Sequence, residues 1–490
     1  MSDNCGFSAQ IWRGTASKVR NIAAHLVARR PAVADIVDMP DAADNSAEPS
    51  EGSSSREAPP KVVFVAFACE PYRGSEPGVG WSFVHEMSRS QPVWAVVHAS
   101  HRQPNDAYLQ KYPSNFPIHF SYVSMPGLEW LLSGSYLAFN LYYYLWQFAA
   151  ARVLRRLHRE HHFDIVQHVS LMRWWMTTAA TTLARRGVKF VWGPIGAGEL
   201  MDRRFAGRIG WSNRLLESAR SIARWICLRD PLFRRTVRSV DLALASTYES
   251  ADRLREVGVE RVELMSGIAV QMPPELLGAR ELRRPGKFRF ISGGGLIYWK
   301  RYDLVLRAFA KAKLENAEYV HVCGGYEQER LVKLASELGL QDRVKFLGEM
   351  PYTQCIAELA NSDALIHPVL RDSAGLIVEA ITLGLPVLTL DHLSPRFLVP
   401  DDAGYRVPLQ KDTTSESLVE DFARVMRQWH DDRELAHRLG AAAARHGASL
   451  ARENRDRELH ALHKRLLNQS RSHVPHEGSV DRQGAGRIVL

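Results

Sequence analysis

Short apolar runs alternate with segments of helix length from Lys61 onward, which predicts buried parallel strands joined by helices. The first is KVVFVAFAC at 61–69, followed by the glycine-punctuated loop GSEPGVGW at 74–81 and a helical pattern through Phe83 and Met87. PVWAVVHA (92–99), IHFSYV (118–123), FDIVQHV (163–169), KFVWGP (189–194) and DLALAS (241–246) continue the rhythm. A Pro/Gly/Arg-rich stretch at 273–286 interrupts it. It then restarts with KFRFISGG (287–294), YVHVCGG (319–325), RVKFLG (343–348), ALIHPV (364–369) and LPVLTLD (385–391). The fold class expected is α/β, with two Rossmann-like, doubly wound parallel-sheet domains facing a cleft. The boundaries read as a leader at 1–60, a first domain at 61–275, a linker at 276–286, a second domain at 287–432, helices at 433–467 that are candidates to cross back to the first domain, and a tail at 468–490.

Two segments depart from this rhythm. The stretch ending DAADNSAEPSEGSSSREAPP is too rich in Ser, Pro and acids to repay its ordering entropy, so the leader is expected to be disordered, as is the tail. Leu131–Ala151 carries no formal charge and is followed by Arg152, Arg155 and Arg156. Its length permits a membrane span, whereas its Ser, Gly, Asn140, Gln147 and three consecutive tyrosines favour an aromatic helix packed inside the first domain.

Composition narrows the class. The chain has 490 residues, 46% of them hydrophobic and 24% charged, enough to fill two or three cores and outside collagenous, wholly disordered or multi-spanning compositions. Cys5, Cys69, Cys227, Cys323 and Cys355 are widely separated, which argues against a zinc cage or a disulfide framework and for a reducing compartment. The net charge of +9 favours an anionic partner, and the basic excess is local. Residues 201–240 hold ten arginines and three acids, with Trp211, Leu215, Ala219, Ile222 and Ile226 near helical spacing. That pattern fits an interfacial helix on an anionic membrane surface, or equally an amphipathic helix packed on the core. No recognised nucleic-acid motif accompanies the arginines, so no nucleic acid is expected as partner.

Candidate chemistry follows from the loops beyond the carboxyl ends of strands, where ligands bind in open parallel sheets. In GSEPGVGW, Gly78 and Gly80 allow close backbone approach to a ligand, and equally a structural turn. In SGGGLIYWKRYDLVLRAF (292–309), Gly294 and Gly295 lead to Lys300 and Arg301 at a helix start, where two cations conflict with the helix dipole unless an anion such as a diphosphate binds. In HPVLRDSAGLIVEAITLGLPVLTLD (367–391), Asp372 and Ser373 can cap a helix, and Glu379 falls among apolar neighbours where an unpartnered acid is costly. A carboxylate so placed can accept hydrogen bonds from two vicinal hydroxyls.

At that last cluster the chain resembles the GT-B fold glycosyltransferases of family four, group 1 type. Glu379, Ala380 and LGLPV match the end of that family's donor motif, and GGYEQERLVKLASELGLQDRVKFLGEMP (324–351), GSEPGVGW and FVWGPIGAGE (190–199) are similar to it as well. The resemblance covers about Lys61 to Leu467. It implies an acceptor-side first domain and a nucleotide-sugar-binding second one. It makes Glu379 the ribose acceptor, Lys300 a diphosphate ligand, and the loop through Asp372, Ser373, Ala374, Gly375 and Leu376 the seat of the sugar. His168, ending FDIVQHV, lies near where similar enzymes carry a histidine touching the donor sugar, or is structural. Glu76 and Glu199 are lesser candidates on the acceptor or sugar side. The sequence departs from the family in register: its first Glu falls on Arg371, Asp372 stands seven residues before Glu379 instead of eight, and its usual Arg is Gly295. Arg301 or Arg371 is the candidate replacement cation.

The expected function is transfer of a hexose from a GDP- or UDP-sugar to a glycan or lipid-linked acceptor in surface or exopolysaccharide synthesis. Retention of configuration is implied by the resemblance alone. His168, Asp372 and Lys300 are the expected catalytic residues. No Asp-x-Asp pair and no His/Cys cluster has ligand spacing, so no metal and no cofactor beyond the donor substrate are expected. A cytoplasmic protein, peripheral at the inner membrane face, fits these readings. The alternatives are a non-catalytic sugar- or nucleotide-binding relative and a membrane or nucleic-acid scaffold.

Overall fold

The computed structural model describes residues 59–73, 75–133, 136–196, 218, 221–268, 286–371, 374–450 and 452–468. The leader to residue 58, the expected linker at 276–285, most of 201–220, Glu199, Asp372, Ser373 and the tail from 469 lie outside the described residues.

Seven parallel strands form the first sheet, in the order β3-β2-β1-β4-β5-β6-β7. They are β1 (Val62–Ala66), β2 (Val93–His98), β3 (Ile118–Val123), β4 (Ile165–Ser170), β5 (Lys189–Ile195), β6 (Leu242–Ala245) and β7 (Val262–Leu264). Every β1 side chain is buried, because the strand is central and covered on both faces, which is why it reads as an unbroken apolar run. Six parallel strands form the second sheet, ordered β10-β9-β8-β11-β12-β13. These are β8 (Phe288–Gly293), β9 (Ala317–Val322), β10 (Val344–Phe346), β11 (Ala364–His367), β12 (Val387–Leu390) and β13 (Gly404–Val407). β7 and β13 escape the sequence pattern because they are short edge strands, half-buried or interrupted by exposed positions.

In both sheets the winding direction reverses beside the first strand of the lobe: between β1 and β4 in one, between β8 and β11 in the other. Such reversals open a crevice at the strand carboxyl ends. The loops carrying the sequence candidates leave these four strands.

The uncharged stretch at 131–151 resolves into the protein helix Tyr136–His161. Tyr142, Tyr143, Trp146, Ala150 and Leu154 are buried in the first lobe, and three polar side chains along the helix are hydrogen-bonded to it. Trp146 Nε1 donates to the Val123 carbonyl at 3.0 Å, Tyr142 Oη bonds His98 Nε2 at 2.9 Å, and Gln147 Oε1 accepts from the Ala179 amide at 2.9 Å. Among the described residues, no helix is long and apolar enough to cross a membrane.

The last two described helices bridge the lobes. Helix Arg433–Ser449 packs so closely on Gly375–Thr382 that a side chain at Gly447 would meet Thr382 Cα at 2.7 Å. Helix Arg452–Asn468 then lies against the first sheet, where Leu459, Leu462 and Leu466 join the cluster around Val62 and Phe64. Arg455 pairs with Glu86, both buried, and donates to the Gly267 carbonyl at 3.2 Å, while His463 Nε2 bonds Gln167 Oε1 at 2.9 Å.

Candidate functional site

The loop leaving β8 is shaped around Lys300. Gly294 has φ +90°, a left-handed conformation, and a side chain there would collide with the Lys300 ammonium. Tyr302 donates to the Gly293 carbonyl, and His321 Nε2 bonds the Gly294 carbonyl at 3.0 Å, which fixes two successive peptides of the loop. Burial pushes His321 down to about 3, so the ring is neutral at pH 7 and Nε2 is the donor in that bond. Lys300 is only 9% exposed, and its burial brings its pKa down to about 8. A largely desolvated ammonium against glycine backbone is the electrostatic arrangement an anionic ligand relieves.

The loop leaving β11 meets this one. Leu370 N donates to the Trp299 carbonyl at 3.0 Å, and the Trp299 ring lies 5.6 Å from Lys300 Nζ and 6.0 Å from the Arg371 guanidinium carbon. Lys300 and Arg371 thus flank one indole. Leu376 packs toward Gly293, where an added Cβ would meet it at 3.2 Å, so Ala374, Gly375 and Leu376 close the same mouth. Glu379 follows in the second turn of helix Gly375–Thr382. Its Oε1 accepts from the Tyr352 hydroxyl at 2.9 Å, and burial pushes its carboxyl up to about 7.

Arg301 takes a different course. It caps helix Tyr302–Ala312 at φ +51°, and its guanidinium contacts Asp303 at 3.0 and 3.2 Å and Ser415 Oγ at 3.2 Å. The cationic conflict at the helix start is therefore relieved by an acid of its own first turn. At Gly295 an added Cβ would meet the Gly324 carbonyl at 3.8 Å, an ordinary contact, so the site tolerates a side chain.

In the first lobe the glycine stretch is helix instead of loop: Ser75–Met87 contains both Gly78 and Gly80. A side chain at Gly78 would strike the Arg73 carbonyl and one at Gly80 the Ala68 carbonyl, so both glycines permit close packing of helix on backbone. Glu76, in the first turn, accepts from the Leu171 amide at 2.6 Å. Its carboxyl is raised by burial, offset in part by that amide and by Arg173. His168 is buried within β4, bonded to the Tyr143 hydroxyl at 3.1 Å and pushed down to about 3 by burial. A ring so desolvated is a neutral hydrogen-bonding group at pH 7. Buried Tyr143 and His168 and half-buried Glu76 and Arg173 form one cluster at the first lobe's switch point.

The structure brings together Gly294, Lys300, Arg371, Ala374, Gly375, Leu376 and Glu379. Tyr352, His321 and Trp299 also belong there and were not read from the sequence. Tyr352 follows Pro351 at a helix start, and nothing local marks it as the partner of an acid 27 residues on. Among the described residues, no group of three or more His, Cys, Asp or Glu lies close enough to hold a metal ion.

Residues 278–446 match the glycosyl transferases group 1 family. The fold is GT-B. Among solved GT-B structures, WaaG, a glycosyltransferase involved in lipopolysaccharide biosynthesis, superposes with a TM-score of 0.52 at 16% identity, covering 82% of this chain and 99% of its own. Anabaena HepE in complex with UDP gives 0.53 at 15% identity, covering 83% and 100%. A D-inositol 3-phosphate glycosyltransferase of Streptomyces coelicolor is 32% identical over 162 residues, 31% of this chain and 34% of that protein. The lipopolysaccharide core biosynthesis glycosyltransferase LpsD of Rhizobium meliloti is 25% identical over 215 residues, 42% and 58% of the two chains. The chain thus spans between a third and three-fifths of the length of these curated relatives.

Proposed function

We propose that this GT-B chain transfers a hexose from a UDP- or GDP-sugar to a glycan or lipid-linked acceptor in surface polysaccharide assembly. The observation that carries the reading is the convergence of the desolvated cation Lys300, on the loop leaving β8, and the partly buried acid Glu379, in the helix that follows β11, at the second lobe's switch point. Lys300, with Arg371 beside Trp299, supplies positive charge where the glycosidic C–O bond breaks and the diphosphate leaves. Glu379, held by Tyr352, accepts hydrogen bonds from the ribose hydroxyls, which fixes the nucleotide. Asp372, Ser373 and Glu199 keep their proposed roles at the sugar, and Glu76 with His168 lines the facing lobe. In this reading transfer proceeds with retention and without a divalent metal, because the protein's own cations neutralise the leaving group.

A lipid-linked acceptor is favoured by one surface. Leu137, Leu141 and Phe148 are exposed along helix Tyr136–His161, and Ile222, Trp225 and Ile226 are exposed in the arginine-rich segment. Arg229 stacks over Trp225 at 3.8 Å, and Tyr144 of the long helix donates to Asp230 at 2.9 Å, which joins the two segments. Apolar side chains rimmed by arginines suit an anionic bilayer face.

The test is a panel of UDP- and GDP-hexoses in the presence of EDTA, read as release of nucleoside diphosphate. Transfer or slow hydrolysis of one donor supports the reading. Donor binding with no turnover on any lipid or glycan acceptor favours a sugar-binding relative that lacks catalysis, consistent with Arg371 standing where an acid is expected.

A further inference from the structure

The loops leaving β9 and β10 form a further wall of the donor mouth, and the proposed transfer uses no side chain of theirs. The Gly324 carbonyl accepts from the Leu296 amide at 2.9 Å, and the Glu327 amide donates to the Leu296 carbonyl at 3.0 Å. These bonds fasten the β9 exit to the loop that cradles Lys300. On its other side the Cys323 amide donates to the Gly348 carbonyl at 2.9 Å, which fastens it to the β10 exit. Residues 347–351 of that exit lead directly into helix Tyr352–Ala360, whose first residue holds Glu379.

Gly324 lies at the centre of this wall. A side chain starting there would meet Gln328 Oε1 at 3.4 Å, Glu349 Cγ at 3.5 Å and the Glu349 amide nitrogen at 3.9 Å. A carboxylate and a carboxamide therefore border one patch of bare backbone. Glu349 is exposed, and among the described residues neither its carboxylate nor the Gln328 carboxamide makes a hydrogen bond or ion pair. Both are available to a ligand. Their place decides which part of a nucleotide reaches them: with the diphosphate on Lys300 and the ribose on Glu379, the base leaves the ribose away from the phosphates, toward the helix that Tyr352 opens.

We propose that the base read by this wall is guanine, and that Glu349 is the residue that selects GDP-sugars over UDP-sugars. The assignment rests on the donor-site reading and names its nucleotide. Guanine presents two adjacent donors, N1–H and the 2-amino group, which match the two acceptor oxygens of one carboxylate. Its O6, beside them, takes a hydrogen bond from the Gln328 amide. Uracil presents a single donor, N3–H, between two carbonyl oxygens. Opposed to the same carboxylate it gains one hydrogen bond and sets both of those oxygens against the negative charge, so the site discriminates by repulsion as well as by attraction.

The experiment titrates the full chain calorimetrically with GDP, UDP, inosine diphosphate and xanthosine diphosphate, for wild type and Glu349→Gln. Wild type is expected to bind GDP about tenfold or more tightly than UDP. Inosine diphosphate, which lacks the 2-amino group, is expected to bind about tenfold more weakly than GDP, the size of one lost hydrogen bond to a charged group. Glu349→Gln is expected to lose about tenfold in GDP affinity and to gain affinity for xanthosine diphosphate, whose 2-oxygen accepts from the new amide. Its UDP affinity is expected to stay at the wild-type value, which also shows that the variant is folded. UDP binding as tight as GDP binding in wild type overturns the proposal, as does an unaltered GDP affinity in Glu349→Gln. Binding of neither nucleotide by wild type overturns the donor-site reading itself, and the guanine assignment falls with it.

Discussion

Tyr352 donates its hydroxyl to Glu379 Oε1 at 2.9 Å, tying the start of one helix to the second turn of another at the mouth of the second sheet. The acid is thereby oriented before any ligand arrives, at the cost of leaving it partly desolvated.

That cost sets a pH dependence. Burial raises Glu379 from 4.5 to about 7, so the folded chain binds this proton more tightly than the unfolded one. Its contribution to stability is full below about pH 4.5 and is lost as pH rises through about 7, a change of about 3 kcal/mol. Glu379→Gln is expected to flatten this slope and to be the more stable protein at pH 8 by urea unfolding, while losing nucleotide affinity. A variant with the wild-type slope would remove Glu379 as its source.

Donor affinity is expected to be bell-shaped in pH. Ribose hydroxyls need the ionised Glu379, with its pKa near 7, and the diphosphate needs the charged Lys300, with its pKa near 8. Calorimetric titration of UDP or GDP from pH 6 to 9.5 should show both limbs, and Lys300→Arg should lose the alkaline one.

Gly80→Ala is expected to lower the melting temperature, because its methyl group meets the Ala68 carbonyl across helix and strand. Overpacking of this kind costs about 1 to 3 kcal/mol. A neutral result by thermal denaturation would mean the helix shifts freely, against the close packing described.

The same glycines show where the sequence was legible and where it was not. Apolar runs located eleven of the thirteen strands among the described residues; β7 and β13, short edge strands with half-buried or exposed positions, offer no unbroken apolar run. Lys300 and Glu379 were legible because each is a charge in an unfavourable place, beside a helix start or among apolar residues. Gly78 and Gly80 were read as a ligand loop because a glycine needed for packing looks the same in sequence as one needed for a turn. Arg301 was assigned to an anion because its pairing with Asp303 and Ser415 depends on a left-handed cap and a distant helix. Tyr352, His321 and Trp299 act through contacts between elements, which no local pattern encodes.

Arg455 and Glu86 form a buried pair that holds the last helix to the first lobe. Arg455→Ala is expected to cost about 3 to 5 kcal/mol, since it removes the guanidinium from a buried carboxylate. The double replacement Arg455→Met with Glu86→Leu should recover much of that loss in guanidinium unfolding. No recovery in the double replacement would place the damage in packing on Phe83, which Arg455 covers at 4.3 Å.

The central claim is that Lys300 and Glu379 jointly grip a nucleoside diphosphate. Equilibrium titration of the full chain with UDP and GDP in EDTA, for wild type, Lys300→Ala and Glu379→Ala, tests it most directly. Binding of one nucleotide by wild type, weakened about a hundredfold in Lys300→Ala and at least tenfold in Glu379→Ala, is the expected result, since the first loses a buried charge and the second its hydrogen bonds. Wild-type affinity retained in both variants would contradict the account.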